Sequence, residues 1–394
     1  MRQAVIVSTA RTPIAKAFRG AYNMTKAPTL GGHVVREAVR RAGIEGGSID
    51  DAIMGTSIQA GSTGLNIGRM CALAAGLPDT VPGMSIDRQC ASGLMSIATA
   101  AKQIMVDGQN TVVAGGVESV SLVQNRAIEW AISEKDYTVL AASPAAYMPM
   151  LETAEIVARR YGITREAQDE LAAASQQRAA AAQAEGRFAE ELAPLPTTKR
   201  NSDRATGAVT EEAILMTADE GIRGDTTLES LAALAPVIAG GCVTAGNSSQ
   251  LSDAASACVL MEESHALKQG LTPLAVYRGM AVAGCAPDEM GIGPVFAIPR
   301  LLALHGLKVS DIDLWELNEA FAVQVIQCRD ALGIPNELLN VDGGGISMGH
   351  PYGMTGSRLV GHSLIEGRRR NAKNVVISMC IGGGMGAAAL FQLR

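Results

Sequence analysis

Three residues stand where their type and surroundings suit nucleophilic and acid–base chemistry. Cys90 lies in the run SIDRQCASG, just ahead of a stretch with helical spacing. A helix start offers free backbone N–H groups and the positive end of the helix dipole, which would favour a thiolate nucleophile there. Ala91, Ser92 and Gly93 leave room beside it. His350 lies in DGGGISMGHPYGMTGSR, where the neighbours are small and Pro351 breaks the preceding loop. A core histidine is usually packed in apolar bulk, so this setting fits a general base. Cys380 ends the predicted strand Asn374 to Met379 and opens onto IGGGMG. A glycine run at a strand end lets backbone N–H groups, Gly382 among them, face a bound oxygen, as an oxyanion hole requires. Gly382, Gly384 and Ala387 also fit a dinucleotide pattern, but the seven residues after Ala387 leave no room for the helix and strand of such a site. Asn318 and Glu319 bring an amide and a carboxylate to another strand end, where a helix cap and first-turn position would suit them equally. His33, His265, His305 and His362 fall on or near amphipathic helices, and a solvated or capping role is expected for them.

The elements that must position these groups read as alternating strand and helix, the mark of an α/β fold with buried sheets. Ala4 to Ser8 reads as a strand, Thr29 to Ala42 as a helix ending near Gly43, and Ala52 to Gly55 as a second strand. Leu94, Ile97, Ala98, Ala101, Ile104 and Met105 mark one face of a helix over 91–107, stopped at Gly108 and followed by a strand from Thr111. The last third repeats the layout. SIDDAI at 48–53 is echoed by SDIDLW at 310–315, and Cys90 and His350 each open a helix leading to a strand and glycines. A duplicated half makes the two residues equivalent points of the scaffold. The expected division is an N-terminal half over 1–119, with 249–270 returning to it, an insertion over 120–248, and a C-terminal half over 271–394. Within the insertion, Glu152 to Gly186 predicts a helix pair broken near Gly162, with Thr164 capping the second helix; Pro194 to Asp225 is polar and carries Lys199, Arg200 and Arg204.

Composition narrows the function classes. The chain has 394 residues, 18% charged, with a formal net charge of −6 and 13 aromatics. Neither nucleic acid nor an anionic membrane suits such a surface, and base-stacking platforms lack material. Seven cysteines scattered without a CxxC pair disfavour a disulfide framework and a zinc site, and predict a reducing, cytoplasmic setting. The apolar run at Ala4 to Val7 is too short for a signal or spanning segment. Of 43 glycines, twelve fall between Gly343 and Gly386, around His350 and Cys380.

SIDRQCASG, LNEAFA, GGGISMGHPYGMTGSR and CIGGGMG, in this order and spacing, resemble the thiolase family over the whole chain. The resemblance implies two thiolase-like βαβαβαββ halves stacked as five α/β layers, with an inserted loop domain that binds coenzyme A, and a homodimer or homotetramer. It implies Cys90 as the nucleophile that carries the acyl group and His350 as its activator. His350 and a water held by Asn318 would form one oxyanion hole; the N–H groups of Cys90 and Gly382 would form the other. Cys380 would move the α-proton. Arg223 and Ser230, in GIRGDTTLESLAAL, would lie near the nucleotide, and Ser249, in VTAGNSSQLSDAA, near the pantetheine. Met150 and Phe321 would line the substrate pocket. Coenzyme A would be substrate and product, alongside acetyl-CoA and 3-ketoacyl-CoA, with no permanently bound cofactor and no metal.

Four residues depart from the family pattern. Pro149 replaces a histidine of several short-chain members, Asp342 stands where many have asparagine, and Ser347-Met348 replaces a more apolar pair. The expected activity is reversible Claisen condensation and thiolysis between acyl-CoA and acetyl-CoA. A decarboxylating ketoacyl synthase and a non-catalytic acyl-binding relative are the alternatives. Cys380 counts against the first, since losing CO2 generates the carbanion without a second thiol. The joint presence of Cys90, His350 and Cys380 counts against the second.

Overall fold

The computed structural model describes residues 2–203 and 206–394, so Arg204 of the basic cluster lies outside the described residues. The described residues form twelve strands: β1 Ala4–Arg11, β2 Ala15–Lys16, β3 Asp51–Gly55, β4 Met84–Ile86, β5 Thr111–Ser119, β6 Leu195–Ser202, β7 Val209–Met216, β8 Ser252–Glu262, β9 Ala275–Gly284, β10 Leu314–Leu317, β11 Asn374–Ile381 and β12 Met385–Leu393. The main sheet runs β10-β11-β12-β9-β1-β8-β5-β3-β4, with β2 attached to β8. This order is mirrored about the antiparallel β1–β9 junction: β3 and β5 are parallel on one side, β10 and β11 on the other, each pair joined by a crossover helix. β8, although it follows the insertion in sequence, pairs with β1 and β5 along nearly its full length.

The crossover helices are Ser92–Val106 and Tyr352–Arg369, and they pack against each other in the middle layer. Their contact is close because glycines lie in it. A Cβ on Gly116 would meet the Gly353 carbonyl at 2.0 Å, and one on Gly93 would meet it at 2.6 Å. On both sides an aspartate fixes the strand that follows the helix. Asp50 Oδ2 accepts from the N–H groups of Asn110 and Thr111 (2.6 and 2.9 Å), and Asp313 Oδ2 from those of Lys373 and Asn374 (2.8 and 2.9 Å). The SID echo is thus a repeated structural device. Strands buried on both faces require continuous apolar runs, as in Val375 to Ile377 and Val112 to Ala114.

The insertion holds the helices Met150–Tyr161 and Arg165–Ala184, separated by Gly162 in the left-handed region (φ 66°) and by Thr164, whose hydroxyl accepts from Ala167 N–H. The polar segment after it is more regular than its composition suggests. β6 and β7 form a two-stranded antiparallel ribbon, whose cross-strand backbone bonds override sparse apolar content. No helix among the described residues is long and apolar enough to cross a membrane.

Candidate active site

Cys90 sits one residue ahead of the Ala91 cap of its helix. The chain turns sharply there because Gln89 adopts a left-handed conformation (φ 48°), held by its N–H to Asp87 Oδ1 (2.6 Å) and by Ser57 Oγ donating to its side-chain oxygen (3.0 Å). Strain of this kind persists only where the surroundings enforce it. Burial pushes the Cys90 thiol up to about 11, so the expected helix-start thiolate is not the resting form. The N–H groups of Gly382 and of Cys90 itself face the sulfur and work in the opposite direction, too weakly to reverse the effect of burial. A partner base is therefore required.

His350 can be that base. Thr355 Oγ1 gives its only hydrogen to the Pro351 carbonyl (3.1 Å), so it must accept from His350 Nδ1 at 2.6 Å. The proton thus sits on Nδ1, and Nε2 carries a free lone pair. Asn318 Nδ2 lies 3.3 Å from that Nε2, and Asn318 Oδ1 is buried with no partner among the described residues. Burial first, and the charge of Arg358 second, push His350 down to about 3, so it rests neutral. Its backbone N–H donates to the Gln250 carbonyl (2.9 Å), and Gln250 Nε2 bonds the Ser347 carbonyl (3.2 Å), which holds the His350 loop to the segment before β8.

Cys380 lies within β11, two strands from the pairing that brings in β9, and is fully buried. Burial first, then the nearby Cys90 and Cys328 thiols, raise it well above the ordinary thiol range. It shares an apolar cluster with Phe321, Val243, Met290 and Ala154. Phe321 is thus part of the wall behind Cys380. The insertion reaches this place too: a methyl placed on Gly382 would lie 3.7 Å from Met150 Sδ and 3.9 Å from Gln89 Oε1.

Asn318 and Glu319 are not at a helix start. The next helix, Ala322–Leu332, is capped at Phe321, leaving the pair in the loop that ends β10. Glu319 accepts from Ser175 of the insertion (2.7 Å), from Asn340 (3.1 Å) and from Ile346 N–H (3.2 Å), joining three segments around the His350 loop. His362, expected to be solvated, is instead buried between Glu191 (3.0 Å) and Asp342 (3.5 Å). Burial opposes its charge, but Glu191 and Asp342 carry it up to about 10. The aspartate that departs from the family pattern is therefore one side of a buried ion pair, completed by Arg187 at 2.6 Å.

The residues expected to meet the coenzyme lie on the segment between β7 and β8. Ser249 N–H donates to the Ala320 carbonyl (2.9 Å), placing its segment beside the Asn318 loop. Arg223 is exposed, and its segment lies on the loop before His350: a Cβ on Gly221 would come within 2.5 Å of the Ser347 carbonyl. The Ser230 hydroxyl is engaged in a capping box with Thr227. Sequence reading missed Thr355, Gln250 and Glu118. The Glu118 carboxylate, buried on β5, accepts from the N–H groups of Ser57 and Gly353 (both 2.8 Å) and so links the Cys90 and His350 neighbourhoods. A carboxylate inside an otherwise apolar strand, in VVAGGVES, was the available signal.

Comparison with known proteins shows the family of the chain. The family models described as thiolase, N-terminal domain, and thiolase, C-terminal domain, match residues 4–264 and 271–393. The chain is 46% identical to the 3-ketoacyl-CoA thiolase of Bacillus subtilis over 394 residues, covering 100% of both chains. It is 43% identical to the peroxisomal 3-ketoacyl-CoA thiolase A of Rattus norvegicus, over 98% of this chain and 88% of that one. Among solved structures it is similar to the Bacillus anthracis acetyl-CoA acetyltransferase (TM-score 0.89, 38% identity) and the human mitochondrial 3-ketoacyl-CoA thiolase (TM-score 0.89, 36% identity), covering 100% of this chain and 99% of each of those.

Proposed function

From the premise that this chain belongs to the thiolase family, we propose how its residues divide the work of the reaction. The protein is an acyltransferase that exchanges acyl groups between coenzyme A thioesters and carbon, cleaving 3-ketoacyl-CoA with CoA or running the reverse condensation. In cleavage, His350 Nε2 takes the Cys90 proton and the sulfur attacks the keto carbon. The bond between that carbon and C2 then breaks, its electron pair passes to C2, and the Cys380 thiol protonates C2 to release acetyl-CoA. The CoA thiol then gives its proton to the Cys380 thiolate and displaces the acyl group from Cys90, whose sulfur takes back the proton held on His350 Nε2. Once protonated, Nε2 becomes a donor, and beside Asn318 it can hold one developing oxyanion; the N–H groups of Cys90 and Gly382 hold the other.

The observation that carries this reading is the unprotonated Nε2 of His350, fixed by Thr355, in a site where two backbone N–H groups face the Cys90 sulfur. Arg223 and Ser230 are assigned to the nucleotide of coenzyme A and Ser249 to its pantetheine, with Met150 and Phe321 at the acyl pocket. Coenzyme A and acyl-CoA serve as substrates, with no permanently bound cofactor. The chain divides into halves over 1–119 with 249–270 and over 271–394, with the insertion at 120–248, and works as a cytoplasmic homodimer or homotetramer. The test is direct: incubate the protein with acetoacetyl-CoA and CoA, follow the loss of the enolate absorbance, and repeat with longer ketoacyl chains. Absence of cleavage at every chain length would refute the assignment.

A further inference from the structure

The face of the Tyr352–Arg369 helix that carries Thr355 continues through Arg358 and His362, since residues three and seven positions on recur on one side of a helix. Arg358 is buried, and neither of its Nη atoms has a hydrogen-bond partner among the described residues. On β10, strand alternation turns Glu316 to the side shared with Asn318, towards this helix. Glu316 is also buried, with neither carboxylate oxygen partnered among the described residues. Burying so many strong donors and acceptors is costly unless something satisfies them, and a polar enclosure of this kind is where internal water is held. Glu316 and Arg358 feel each other's charge although no direct ion pair joins them.

We propose that Arg358 is a positioning residue for His350: bridged to Glu316 through internal water, it ties the strand end that carries Asn318 to the helix that carries Thr355 and sets a fixed positive charge behind the imidazole. The proposal rests on the reading of His350 as the base for Cys90. The groups facing His350 are Asn318 at the end of β10 and Tyr352, Thr355 and Arg358 on the helix, with Glu118 beyond Gly353; Arg358 is the cation among them. A positive charge there disfavours the imidazolium, so the base stays available at low pH. Removing the charge raises His350 part of the way towards its ordinary value, with burial still holding it below that value.

The experiment is the pH profile of kcat for acetoacetyl-CoA cleavage in the wild type and in Arg358→Gln, Arg358→Lys and Glu316→Gln. Arg358→Gln is expected to move the acid limb up by about one pH unit and to lower kcat about tenfold, with KM for CoA within about twofold. Arg358→Lys keeps the charge and leaves the limb in place. Glu316→Gln lowers kcat without raising the limb, because it removes the opposite charge. An unmoved limb in Arg358→Gln overturns the proposal, and so does a limb moved equally by lysine and glutamine. Should the Arg358 variants fail to fold, Glu316→Gln decides: wild-type kcat with an unmoved limb overturns the proposal, and a lowered kcat without a raised limb supports it. Undiminished Cys90 acylation in His350→Ala would instead remove the underlying reading, and this proposal with it.

Discussion

Cys90 and His350 occupy the same place in two copies of one supersecondary unit, each just ahead of a crossover helix that feeds a parallel strand. The scaffold treats them alike, down to the paired aspartates Asp50 and Asp313. The surroundings do not. Cys90 is half-buried on a strained turn, with backbone N–H groups facing its sulfur, whereas His350 is 3% exposed and fixed by side chains on both ring nitrogens. The duplicated layout supplies two neighbouring helix starts, and local sequence puts a half-buried thiol at one and a buried imidazole at the other, the pair proposed as acyl carrier and base.

The sharpest way to break this pairing is to remove its members one at a time. Cys90→Ala should lose thiolysis by about a thousandfold or more and form no acyl-enzyme, while His350→Ala should still form the adduct slowly, as intact-protein mass spectrometry would reveal. Equal adduct formation in the two variants would erase the distinction. Next comes Cys380→Ser, which should still acylate Cys90 yet lose about a hundredfold or more in α-proton exchange of acetyl-CoA with deuterated solvent. Unimpaired exchange would transfer the proton step to another group.

A second contrast lies between two histidines of the same region. His362→Leu removes the cation between Glu191 and Asp342, leaving each carboxylate one arginine (Arg11 and Arg187), and should cost about 1.5–3 kcal/mol in denaturant unfolding. Their pH dependences run in opposite senses. His362 is raised to about 10 in the fold, so its stabilisation is complete below about 6.5 and lost as pH rises through 10. His350 is lowered to about 3, so it weakens the fold as pH falls below about 6.5, where the unfolded chain binds the proton and the native one does not. Urea midpoints across pH should show His362→Leu flattening the alkaline decline and leaving the acid one. The smallest effect tests the symmetry itself: Asp50→Ala and Asp313→Ala should each cost about 1 kcal/mol, equally within error, because each exposed carboxylate accepts the same two strand N–H groups.

How far the site could be read without coordinates depended on range. Local signals served well: Gly43, Gly108 and Gly162 end helices or follow them in left-handed conformations, and Thr164 caps its helix. Long-range electrostatics did not. Cys90 looked like a thiolate because a helix start favours one, but burial is a property of the whole packing and outweighs that local field. His362 looked solvated because helical spacing says nothing about Glu191, 171 residues away. Asn318 looked like a cap because a strand end and a helix start share residue preferences, and only the backbone shows the helix beginning later.

From the sequence alone came the α/β class, the duplication, the inserted segment, and the identities of the two thiols and the histidine. These follow from periodicity, glycine placement and residue type, which are carried by neighbours in the chain. The tertiary structure alone decided how buried each candidate group is, that Thr355 and Asn318 face the two ring nitrogens of His350, and that Glu118, Glu319 and Gln250 brace the site from distant segments. Those depend on desolvation and on hydrogen bonds between residues far apart in the chain, and such quantities do not exist until the fold brings the partners together.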